Sequence, residues 1–113
     1  MSVTTVFAVI PSADLAAARA WWTQFLGREP DRVPMPSDVE WAFPSGGLQV
    51  IDDAEHAGAG SVTLGVDDVD AELSEIAARV IDVPEAQPVP TEQFRIAMLQ
   101  DPDGNNIVLA QEL

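Results

Sequence analysis

The chain runs through the same cycle of elements twice, and that repetition constrains the fold more than any single motif does. Residues 3–10 (VTTVFAVI) are β-branched and apolar, which predicts a strand ended by Pro11 and Ser12. Asp14 or Ser12 is placed to cap a helix over 15–26, where Leu15, Trp22, Phe25 and Leu26 make one apolar face. Gly27 is a natural helix stop. A short edge strand is expected at 32–35, because Pro34 and Pro36 cannot donate to a ladder. Strands at 39–43 (VEWAF) and 48–51 (LQVI) flank a turn at 44–47.

After a small-residue connector at 52–60 the cycle restarts. A strand at 61–66 leads into a helix at 69–80, capped by Asp67 or Asp68. A proline-rich stretch at 81–92 precedes a strand at 94–99, a turn at 101–105 and a strand at 106–111. The period is about 55–60 residues. Each half predicts a four-stranded sheet with one helix on one face, and neither half is large enough to be comfortable alone. The fold class is α+β. The expected organisation is one domain over 1–113, with a module at about 1–53, a connector at 54–60 and a module at about 61–113. The sheet face without helices must be covered or must line a cleft.

Charge narrows the function. Nineteen acidic residues against five basic ones leave a net charge of -14, with no lysine and the five arginines scattered. A nucleic-acid surface needs a cationic stripe to release counterions, and anionic membranes repel an acidic protein, so both partners are disfavoured. A cationic or neutral small molecule is favoured by the long-range field, although acidity alone also serves solubility. No stretch approaches the roughly 20 apolar residues of a membrane span, and the N-terminus lacks the basic start of a secretory signal. The absence of cysteine excludes thiolate chemistry and disulfides and fits a reducing cytoplasm. No phosphate loop, dinucleotide glycine motif or nucleophile elbow is present.

Three motifs carry a resemblance. Asp14-Leu15 is followed at fixed spacing by Trp21-Trp22 and Leu26-Gly27; the run from Ser61 to Asp70 opens the second module; and Asp101-Pro102-Asp103-Gly104-Asn105 precedes the last strand. Together these resemble the vicinal-oxygen-chelate superfamily of glyoxalases, extradiol dioxygenases and bleomycin-resistance proteins. The resemblance implies paired β-α-β-β-β modules that form a curved, cup-like sheet, and a homodimer. It also implies a divalent metal held by His, Gln or Glu on the first and last strands of each module. Carried over by position, those ligands fall on Phe7, Gln49 or Val50, Ser61 and Val108. Phe and Val have no lone pair to offer a cation, Ser is a weak donor and Gln offers one amide oxygen. Catalytic zinc takes three protein ligands and octahedral ions take more. No catalytic residue, metal ligand or cofactor is therefore assigned.

With Phe7 turned into the cup, strand alternation turns Thr5, Val9, Ser61, Thr63, Gly65, Asn106, Val108 and Ala110 the same way, a mostly apolar set with a few polar groups. The expected ligand-binding residues are Phe7, Trp41, Gln49, Ser61, Thr63, Arg95, Asn106 and Val108. Trp41 is a candidate to stack a planar ligand, against a role in the core or at a dimer contact. Arg95 is a candidate to pin a carboxylate, against a role in neutralising nearby acids. Of Trp21 and Trp22, only one can face the sheet. His56, beside three carboxylates, is a candidate metal ligand, against the favoured reading of a solvated linker. Asp101 and Asp103 read as turn formers.

The leading expectation is a metal-free protein that binds a small organic molecule, as a bleomycin-resistance type would sequester a cationic drug. Two other expectations stand beside it. One is a metal-dependent lyase or dioxygenase with a degenerate site using Gln49 or His56. The other is an interaction module whose cup is filled by side chains.

Overall fold

The computed structural model describes residues 1–80 and 87–113. Its first module is β1 (Phe7–Ser12), α1 (Leu15–Leu26), β2 (Arg32–Met35), β3 (Asp38–Phe43) and β4 (Gly46–Asp52). Its second is β5 (Ser61–Gly65), α2 (Val69–Arg79), β6 (Val89–Pro90), β7 (Phe94–Gln100) and β8 (Asn106–Glu112). The duplicated order is thus present. The sheets run β1-β4-β3-β2 and β5-β8-β7-β6, so each helix lies between the two edge strands in chain order, and the last strand of each module returns to pair in parallel with the first, β4 with β1 and β8 with β5. The expectation for 81–92 falls partly outside the described residues; within them it yields the two-residue strand β6.

Two Asp residues start the helices. The Asp14 carboxylate accepts the Ala17 N–H at 3.2 Å, and Asp68 accepts the Ala71 N–H at 3.1 Å. Gly27 ends α1 with φ of 76°, a left-handed conformation that suits glycine. Strand β4 starts at Gly46, inside the expected turn, and β1 differs most from expectation. β1 begins at Phe7, not at residue 3, because its partner β4 reaches back only to Gly46, where Gly47 N–H meets Val6 O at 3.0 Å. It also continues through Pro11 and Ser12. Proline is tolerated because β1 is an edge strand. Buried Ser12 donates its hydroxyl to Ile51 O at 2.7 Å.

The helices cover one face of the sheets. Ile10, Trp22, Phe25, Trp41, Leu48 and Val50 of the first module share one buried cluster with Val62, Val69, Ile76, Ile107 and Leu109 of the second. Trp22 is fully buried while Trp21 is half-buried, stacked on Phe25 at 4.9 Å. The opposite face is open, with Val9 and Met98 exposed. The surface is 6866 Å², against roughly 6,000 Å² for a compact protein of this mass.

The modules are stapled at one corner by the 101–105 turn. Asp101 accepts the N–H groups of Asp103 and Asn105 at 3.0 and 2.9 Å. Fully buried Asn105 accepts from Gly58 and Gly60 N–H at 3.0 and 2.8 Å and donates to Pro11 O and to Asp101, each at 2.8 Å. A Cβ on Gly60 would sit 2.7 Å from Pro11 Cδ, so backbone and side chain pack as closely as glycine permits.

Candidate functional site

From that corner, β1 and β5 run along the junction of the modules without forming a ladder. Farther along, a cleft of about 650 Å³ opens between them. One wall is Val6, Ala8, Gly46, Gly47 and Leu48; the other is Val62 to Val66 with Leu109. Phe25 and Leu26 of α1 and Glu72 and Ile76 of α2 complete it, with Phe43, Pro44 and Ser45 of the β3–β4 turn. The volume and the mostly apolar lining suit a drug-sized molecule.

Of the residues singled out from sequence, Thr63 lines this cleft. Phe7, Gln49, Ser61, Asn106 and Val108 share with Thr63 the open face of the sheets instead, as alternation from the Thr63–Val108 and Val9–Gln49 pairings places them. Two candidates lie elsewhere. Trp41 is fully buried on the helix side and its indole N–H donates to Arg28 O at 3.0 Å, so the core claims the ring and it has no free face for a ligand. Arg95 also turns to the helix side, where it holds both oxygens of Asp70 on α2 at 3.0 and 3.1 Å. That pairing keeps the Asp70 carboxyl below its ordinary range and raises Arg95. On the open face Asn106 accepts from Gln100 at 3.1 Å. His56 is exposed and its Nδ1 lies 2.9 Å from Asp53, three residues back.

The open face of the first module holds a cluster that the sequence reading missed. Glu40, 4% exposed, accepts Arg32 Nε at 2.5 Å and the side-chain amide of Gln49. Asp38, also buried, lies on the same face, and its Oδ1 has no hydrogen-bond partner among the described residues. Burial pushes the Asp38 carboxyl up, and the charge of Glu40 adds to that. For Glu40 burial works upward too, but hydrogen bonds from Gln49 and Arg32 and the arginine charge outweigh it, so its carboxyl lies below the ordinary value. The guanidinium of Arg32 lies 5.8 Å from the centre of the Phe7 ring. The available signal was alternation: if Val39, Trp41 and Phe43 pack under the helix, Asp38 and Glu40 must stand beside Gln49.

The superfamily's metal fits these residues poorly. Phe7 and Val108 bring carbon, Ser61 brings one hydroxyl, and Gln49 is bonded to Glu40. Glu40 itself is already taken by Arg32 and Gln49. Among the described residues no three His, Cys, Asp or Glu side chains gather closely enough to hold an ion. No step through a metal is therefore derived.

Comparison with known proteins agrees with this architecture. The model of a glyoxalase-like domain matches residues 6–110. A glyoxalase/bleomycin resistance protein from Catenulispora acidiphila is 31% identical, with 98% of this chain and 100% of that one aligned and a TM-score of 0.86. TnmS3, an antibiotic-binding protein from a Streptomyces species, is 24% identical over 100% of this chain and 99% of its own, with a TM-score of 0.80. A bleomycin-binding protein from Streptomyces verticillus, solved with copper(II)-bleomycin, is 19% identical over 100% and 99%, with a TM-score of 0.77. No curated protein matches the chain.

Proposed function

The chain belongs to the glyoxalase-like family, and from that premise we propose that it binds a small organic molecule without metal-dependent chemistry, as a sequestering protein. The observation that carries this reading is the donor set: the positions that would grip an ion hold Phe7, Ser61, Val108 and an engaged Gln49. The cleft of about 650 Å³ between the modules gives such a molecule a mostly apolar seat, with Thr63 in its wall. Phe7, Ser61, Asn106 and Val108 share the open face beside it. The same fold accommodates copper(II)-bleomycin in the Streptomyces verticillus protein, and a net charge of -14 favours a cationic drug or antibiotic over an anionic one.

On this reading the protein is cytoplasmic, in keeping with its lack of cysteine. It works as a homodimer whose second copy covers the open face, where Val9 is 46% and Met98 64% exposed. Light scattering then gives twice 12.1 kDa. The functional test is a thermal-shift screen against aromatic and cationic small molecules, with and without EDTA. At least one class should raise the melting temperature equally in both conditions. No shift with any class, or a shift abolished by EDTA, would overturn the reading.

A further inference from the structure

Resting on the cleft as the binding site, we infer that it selects a ligand carrying a single positive charge on an apolar body, with Glu72 as the counter-ion. Glu72 is the one charged residue among those lining the cleft; Ser45 and Thr63 are the only polar ones beside it and the rest are apolar or glycine. Its carboxylate makes no hydrogen bond or ion pair among the described residues. The nearby cations have acceptors of their own. Arg28 bonds Asp31 at 2.8 Å as well as Ala42 O, with its guanidinium 5.1 Å from the centre of the Phe43 ring. Arg79 caps the end of α1 through Gln24 O and Phe25 O, at 2.8 and 2.9 Å, and approaches Glu75 at 3.8 Å.

Glu72 also stands in the first turn of α2, on the flank of the cleft. The cleft therefore holds a fixed negative charge against a largely apolar wall. An anionic ligand would meet like charge with no cation among the lining residues. A neutral one would leave the carboxylate partly stripped of water and unpaired. An ammonium or amidinium on an aromatic or aliphatic body satisfies both halves of the site.

The test uses three probes of one shape: 1-naphthylmethylammonium, 1-naphthylmethanol and 1-naphthoate. Binding is followed by calorimetry and by the methyl resonances of Val62 and Ile76. The ammonium should bind roughly tenfold more tightly than the alcohol, and the carboxylate most weakly. Glu72→Gln should bring the ammonium down to the level of the alcohol while leaving the alcohol unchanged. Glu29→Gln, an exposed acid outside the cleft, should leave the ratio intact, which separates a local counter-ion from the general pull of an acidic protein. Equal binding of ammonium and alcohol, or a ratio untouched by Glu72→Gln, overturns the role of Glu72 and leaves the cleft standing. No response of Val62 and Ile76 to any probe overturns the cleft itself.

Discussion

The two modules share one template but spend their side chains differently. In the first, α1 brings Trp22 and Phe25 onto a sheet that contributes Trp41, and the sheet's other face buries a carboxylate pair, one member of which accepts from the exposed Arg32. In the second, α2 offers Val69 and Ile76, with the Asp70–Arg95 pair at its edge, and the open face carries Ser61, Thr63, Val108 and Met98. The aromatic half can anchor the fold, while the lighter half supplies one flank of the cleft and its single charge. A duplicated topology therefore need not mean a duplicated site.

Substitutions in the two halves can break this contrast. Trp22→Ala should be the most damaging, at about 3–5 kcal/mol, because it empties the centre of the aromatic cluster. Ile76→Val, its counterpart on α2, should cost only about 0.5–1.5 kcal/mol. Urea titration of both variants tests the ranking, and equal losses would erase the asymmetry. Asn105→Ala should cost about 2–3 kcal/mol, since it strands the Gly58 and Gly60 N–H groups and the Pro11 carbonyl at the seam. Loss of a single cooperative transition would show that this corner couples the modules.

Asp38→Asn acts in the opposite direction. The raised Asp38 carboxyl binds its proton more tightly in the folded state, so its stabilising share is full at low pH and lost as pH rises through the folded pKa. Glu40, held low, contributes above the ordinary carboxylate range and loses that share as pH falls through its folded pKa. Above the folded pKa of Asp38 the wild type carries two adjacent buried charges against one arginine. Asp38→Asn should then gain about 1 kcal/mol, and the gain should fade on acidification to about pH 4. A gain that persists there would point to packing instead of charge. Asp70→Asn should give the smallest shift, detectable in low salt and screened in high salt, because both partners are substantially exposed.

Much of this was legible beforehand. Hydrophobic periodicity placed both helices, the caps were narrowed to Ser12 or Asp14 and to Asp67 or Asp68, of which Asp14 and Asp68 act, and the Asp101–Asn105 composition announced its turn. What escaped has a common cause: it depends on residues far apart in sequence. Asn105 reads locally as a turn former, yet it reaches Pro11, 94 positions away. Glu40 stands out only once Gln49 and Arg32 are beside it. Trp41 offered an aromatic face, but three-dimensional packing had already used it. The cleft lies at the junction of the modules, a place set by how two sheets meet and not by any one strand.

The most direct check is elemental analysis of protein purified without chelator. Metal should lie far below one ion per chain, with no change on Gln49→Ala. An ion close to one per chain, lost when Gln49 is changed, would contradict the metal-free reading.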